Sequence, residues 1–292
     1  MLAYIPAERW VGNRNFPVKT TLLCVSLALS VSALAQDDKA FAQLSQMLAE
    51  NARYKTPALW EGTQRLQVWY SDTINVTRDS VKKGDWFMYR ALGPLKLGDY
   101  DRAFADYEIA VKLNPKNQGQ VGWRYLFLLR DHPRALAYLN AFDALTPNYD
   151  DLIDDYSVNY LKGRALAGLR QYEQAVAAYT IAIDSRETRH GPEWVDYRYW
   201  VARSVSHLAL NQPERALNDL DKALKNNPKS AMTLYQRGRA LQQLRRTAEA
   251  QSTFQDALFF VRSQPFERDY YYEQPDAGYE GQIETLLNAI KN

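Results

Sequence analysis

Cysteine is all but missing from this sequence. Cys24 is the only one, so no internal disulfide can form. Histidine is scarce too: His132, His190 and His207 stand apart, in neither an HxxxH nor an HExxH spacing, and supply no zinc-ligand set. There is no Walker phosphate loop, no GxGxxG and no nucleophile elbow. Ser204 and Ser206 lie beside His207, but in a helical stretch whose packing accounts for them. Strand-like alternation of useful length is also lacking. No catalytic residue, no metal and no cofactor is expected.

Net charge is the next shortage. Thr20 to Ala35 (TTLLCVSLALSVSALA) is uncharged and ends small-x-small at Ala33-Leu34-Ala35, before the polar Gln36-Asp37-Asp38. A basic residue, a short apolar core and such an ending describe a secretory signal peptide over 1–35, cleaved after Ala35. The run is short for a membrane span, which needs about 20 residues; the alternative is an uncleaved N-terminal anchor. Leu22-Leu23 before Cys24 lacks the small residue of a lipidation box. The nineteen residues ahead of the core are long for a bacterial leader, and a start at Val18 would give a conventional one. Losing Arg9, Arg14, Lys19 and Glu8 with the leader leaves 33 basic and 33 acidic side chains from 36 and 34. A neutral mature chain has no bulk attraction to nucleic acid or an anionic membrane. The expected location is periplasmic or secreted, with no stable span after cleavage.

What the sequence has in abundance is repetition. Ala103, Tyr107, Ala110 and Pro115 recur in the same offsets as Ala135, Leu139, Phe142 and Pro147, and as Ala216, Leu220, Ala223 and Pro228. Ala175, Tyr179, Ala182 and Ala250, Phe254, Ala257 repeat all but the proline. Twelve residues before each leading alanine stand Ala91, Trp123, Gly163, Ser204 and Gly238. Two helical stretches per period of about 34 residues make a helix-pair solenoid. The expected units are about 84–117, 116–149, 156–189, 197–230 and 231–264, after an N-terminal helical cap over 36–83. A linker and capping helix follow over 265–292, with Ile283, Leu286, Leu287 and Ile290 on one face. In the second unit Trp123 takes the small position and Phe142 an alanine position, so its helices are expected to sit further apart or shift register.

These units resemble the tetratricopeptide repeat family over about 180 of the 292 residues. Gly163, Ala175, Tyr179 and Ala182 fill that family's small, alanine, aromatic and alanine positions, and Gly98-Asp99-Tyr100 matches its inter-helix turn. The resemblance implies an all-α, right-handed solenoid of antiparallel helix pairs with helical caps. It also implies a groove lined by first helices, which here would present Tyr160, Arg164, Arg198, Tyr235, Gln236, Arg239, Gln242 and Gln243. Arg and Tyr are enriched at binding hot spots, and the plain alternative is a solvated helix face. The family's clamp for acidic C-terminal tails needs Lys and Asn, and Met88 and Leu92 stand in those places.

The function so implied is a non-catalytic scaffold that binds a protein or peptide partner in the cell envelope. Two other readings compete. Asp150-Asp151-Leu152-Ile153-Asp154 matches the DDxxD spacing of all-α metal-dependent enzymes, against the simpler reading of an acidic first turn of a helix. The tyrosine-rich C-terminal part, Tyr270 to Tyr272, suits a self-associating assembly factor. N-terminal sequencing of the envelope protein is expected to begin at Gln36, whereas retention of residues 20–35 would mark the uncleaved anchor. Peptides from 1–17 in the unprocessed precursor would rule out the start at Val18.

Overall fold

The computed structural model describes residues 59–263 and 276–291. The leader with Cys24, residues 36–58 of the expected N-terminal cap and Tyr270 to Tyr272 lie outside the described residues. Apart from one two-residue hairpin and a short 3-10 turn, the described elements are α-helices. They form two compact units, one up to Asn117 and one from Gln118.

The first unit holds α1 (Leu59–Val76), α2 (Ser80–Arg90), α3 (Leu92–Lys96) and α4 (Tyr100–Leu113). Asp79 starts α2 by accepting the Val81 and Lys82 amides, which satisfies two N–H groups the helix cannot. Trp69 of α1 meets Trp86 of α2 edge-on at 5.4 Å. Ala103, Tyr107 and Ala110 of α4 are fully buried.

The second unit runs α5 (Asn117–Phe127), α6 (His132–Asp143), β1 (Leu152–Ile153), β2 (Tyr156–Ser157), α7 (Val158–Gly168) and α8 (Tyr172–His190). It continues through a 3-10 turn (Pro192–Trp194), α9 (Tyr197–Ala209), α10 (Pro213–Asn226), α11 (Ala231–Gln243), α12 (Thr247–Ser263) and α13 (Glu280–Lys291). Consecutive helices pair, and the repeated residues explain why. Ala135, Leu139, Ala175, Tyr179, Ala182, Ala216, Leu220, Ala223, Ala250, Phe254 and Ala257 are at most 1% exposed. A Cβ on Gly163 would stand 2.6 Å from the Tyr179 ring, and one on Gly238 would overlap the Phe254 ring. The first helix thus carries a notch that the second helix fills with a ring. In the irregular pair the register shifts: Gly122, not Trp123, takes the notch, and its Cβ would lie 2.9 Å from Leu139. Gly119, one turn earlier, faces Phe142 in the same way.

The turns inside the pairs share one backbone form. Gly98, Arg130, Arg170, Asn211 and Arg245 all take positive φ, between 52° and 77°, each five residues before its leading alanine. The amide that follows closes each turn at 2.9 Å: Asp99, Gln171, Gln212 and Arg246 donate to carbonyls five residues back, and Asp131 donates to Tyr125, six back. This is the Schellman helix end, which glycine favours. Only Gly98 follows that preference; the other four carry a side chain in the left-handed region.

A second repeated device escapes the small/large pattern. Arg90 grips Asp106 through Nε (2.9 Å) and Nη2 (2.7 Å), and its Nη1 donates to Ser71. Arg203 grips Asp219 at the same two distances, and its Nη1 donates to Thr180. Each fork joins a first helix to its own second helix and to the helix before. In the fifth pair Arg237 keeps the arginine but meets Thr253 and Asp221.

Asp150 to Asp154 do not open a helix, contrary to expectation. Asp150 is buried and accepts Ser157 Oγ (2.6 Å) and Asn159 Nδ2 (2.9 Å), while Asp154 and Asp155, both at positive φ, turn the β1–β2 hairpin. Asp154 accepts Gln120 Nε2 at 2.7 Å, and Asp151 accepts the Thr146 hydroxyl. The three carboxylates serve separate partners, and no cluster of three or more metal-capable side chains occurs among the described residues. Nor is any helix among them long and apolar enough to cross a membrane.

Asp219 is 2% exposed at its side chain and faces a 13% exposed Arg203. Asp219→Ala strands that guanidinium, so the second unit is expected to lose about 3–5 kcal/mol. The loss should appear as a lower urea midpoint at constant slope. The double change Arg203→Met, Asp219→Leu is expected to restore most of it; no recovery would mean that shape, not charge, holds this joint.

Candidate functional site

The first helices α7, α9 and α11 belong to successive pairs of the second unit, and their expected groove residues have unequal fates. Ser157 starts α7 by accepting the Tyr160 amide, which sets Tyr160 and Arg164 one turn apart on the same face. Asp196 starts α9 in the same manner and then holds Arg198 in a bidentate pair, with Nη2 at 2.7 Å from Oδ2. Ser230 starts α11, on which Tyr235, Gln236 and Arg239 follow.

Tyr160 is 5% exposed and lies in a stack rather than in solvent. Its ring is 4.2 Å from Tyr199 and nearly parallel, and 5.6 Å from Tyr156 on the other side. The Tyr199 hydroxyl accepts the Ser157 amide at 2.8 Å, so the stack is tied to the start of α7. Burial pushes Tyr160 and Tyr179 well above the ordinary tyrosine range and Tyr199 up to about 12.

Arg164 pairs with Asp276, which reaches it from the segment just before α13. Both side chains are close to buried, at 11% and 12% exposed. Burial works against the Arg164 charge, but the Asp276 carboxylate outweighs it and keeps the guanidinium above its usual range. Gln236 is 1% exposed and donates Nε2 to the Asp276 carbonyl at 2.6 Å. Arg239 donates Nη1 to Gln236 Oε1 at 2.9 Å, which fixes the amide so that its NH2 faces Asp276. Tyr235 lies under Gly278, where a Cβ would overlap the ring.

Phe127, Tyr156, Tyr160, Arg164, Arg198, Met232 and Asp276 enclose a remaining space of about 20 Å³. That is room for about one water. Gln242 and Gln243 end α11 outside this cluster, and Gln243 donates to the Leu208 carbonyl at 3.4 Å.

The structure therefore brings Tyr160, Arg164, Arg198, Tyr235, Gln236 and Arg239 together and leaves Gln242 and Gln243 apart. The plain alternative of a solvated face does not describe Tyr160 or Gln236. Residues missed by sequence reasoning are Asp276, Gly278, Tyr156 and Tyr199. Tyr199 sits beside an expected groove residue and so carried a faint signal. Asp276 carried none, because its partner is 112 residues away.

Successive antiparallel helix pairs, packed through buried small residues and joined by one form of turn, define a helical-repeat protein. The repeats are of one kind: the tetratricopeptide repeat family matches residues 95–117 and, in two overlapping stretches, 160–205 and 201–268. The chain carries tetratricopeptide repeats over these residues. Solved structures share the fold at low identity. A chain of the APC/C hetero-tetramer Cut9–Hcn1 is 15% identical, with a TM-score of 0.57 over 94% of this chain and 46% of that one. MamA 41-end from Desulfovibrio magneticus RS-1 is 18% identical, with a TM-score of 0.52 over 62% of this chain and 96% of that one. Another MamA structure is 17% identical at a TM-score of 0.50, over 64% and 96%. No curated protein sequence matches the chain significantly.

Tyr160, Tyr179 and Tyr199 couple this site to alkaline pH. Each is neutral when folded, and each would ionise near pH 10 in the unfolded chain. Their contribution is thus intact below about pH 10 and is lost as pH rises through the higher folded values. Thermal melts from about pH 9 to about pH 12 are expected to show a falling Tm, with a shallower fall for Tyr160→Phe. An equal slope in both proteins would assign the alkaline loss to other groups.

Proposed function

We propose that the chain is a non-catalytic scaffold of the cell envelope that holds an extended segment of a protein partner on the first-helix face of its second unit. One observation carries this reading. Side chains from α7 and α11, in the third and fifth pairs, converge on a single non-helical segment and engage both its carboxylate and its main-chain carbonyl. A face that reads backbone and side chain together is equipped for peptide rather than for a small metabolite, and the 20 Å³ left beside it is too small for the latter. The envelope part of the reading rests on the apolar leader and on the neutral mature chain that it leaves.

A photo-crosslinking amino acid placed at Gln242, at the end of the first-helix face, should give an adduct in intact cells of the source organism. The same residue at exposed Asn218 of α10 should give none. Adducts from Asn218 alone, or equally from both, would move binding to the second-helix side and overturn the proposal.

A further inference from the structure

We propose that this face is a seat for an Asp-x-Gly segment, and that Asp276-Ala277-Gly278 of the chain itself fills it until a partner carrying the same chemistry displaces it. The inference rests on the peptide-binding reading above and names its ligand class.

Three contacts define the seat, and each selects one feature of the occupant. Arg164 needs an acid. Its titratable neighbours are Tyr160, Tyr179, His132 and Asp276, and Asp276 is the carboxylate among them. Arg198, which shares the cavity, is already neutralised by Asp196. A nearly buried guanidinium with no acid from the repeats is costly unless a carboxylate arrives from elsewhere.

Gln236 needs a main-chain carbonyl. Its oxygen is held by Arg239, so the amide can only donate, and it donates to the carbonyl of the very residue whose side chain meets Arg164. One residue therefore bridges α7 and α11. The extra methylene of glutamate would pull either the carboxylate or the carbonyl out of place.

Tyr235 needs a glycine. The ring lies where a Cβ at position 278 would be, so the residue two after the aspartate can carry no side chain. This combination differs from capture of a chain terminus, because it uses a side-chain carboxylate and internal backbone.

The internal occupant is held in place by α13. Ile283 and Leu287 are buried against Phe254 and Ala257 of α12, and Arg262 of α12 pairs with Glu280 and Glu284 at 2.7 and 2.6 Å. Those ion pairs are exposed and contribute little; the apolar contacts do the anchoring. Tethering places the segment at an effective concentration on the order of millimolar, so a free peptide competes poorly with it.

The test uses full-length chain, wild type and Asp276→Ala, with a fluorescent acetylated pentapeptide Asp-Ala-Gly-Tyr-Glu read by anisotropy. The variant, with its internal carboxylate removed, is expected to bind at least about tenfold tighter than wild type. Peptides with Asp→Asn, Asp→Glu or Gly→Val are expected to lose about tenfold or more on the same protein. Because the peptide is varied as well as the protein, a folding defect in the variant cannot imitate this pattern; circular dichroism checks the variant directly.

Equal binding to both proteins, or equal binding of the altered peptides, would overturn the seat. A wild-type dimer that dissociates in Asp276→Ala would overturn it also, by making a second copy the occupant. Adducts at Gln242 together with failure of the peptide series would leave the scaffold reading standing and remove only the ligand class.

Discussion

Everything in this molecule depends on how closely two helix backbones can approach. Gly163 and Gly238 leave a notch on a first helix, and Tyr179 and Phe254 fill it from the second. Gly122 and Leu139 do the same in the pair whose sequence departs most from the others. Close approach then demands small residues wherever backbones cross, and the fully buried alanines of α4, α6, α8, α10 and α12 meet that demand. The turns are a consequence as well. A pair this tight needs an abrupt helix end, and four of five turns accept a strained left-handed arginine or asparagine to achieve it.

Polar groups buried by this packing must find partners within it. The Arg90–Asp106 and Arg203–Asp219 forks do so inside their own units and add a link to the preceding helix. Arg164 stands outside that device: the fork position of its own helix is Lys162, which pairs with Asp143, while Arg164 is met by Asp276 from beyond the repeats.

The stacked Tyr156, Tyr160 and Tyr199 supply the rigid floor. Aromatic faces at this spacing contribute area with little entropy loss, and the Tyr199–Ser157 hydrogen bond keeps the stack aligned with the start of α7. The seat is preformed by contacts that do not involve its occupant, which lowers the ordering cost of any segment that enters.

The helix pairs were legible in the sequence because their cause is local. Alanines and rings three and four residues apart lie on one helix face whatever the rest of the chain does, so Ala175, Tyr179 and Ala182 announce a packed stripe. Other features needed three dimensions. The one-residue shift to Gly122 depends on which face of α5 meets Leu139, and the hairpin at Asp154-Asp155 depends on Asp150 being claimed by Ser157 and Asn159. The groove positions on α7 and α11 followed from periodicity, yet their state did not: spacing tells which residues share a face, not whether another segment covers it. The sequence by itself determined the repeat, its notch and its rings, since these are neighbours along a helix. Only the tertiary structure decided that Arg164 meets Asp276, since a contact across 112 residues is set by where the chain returns.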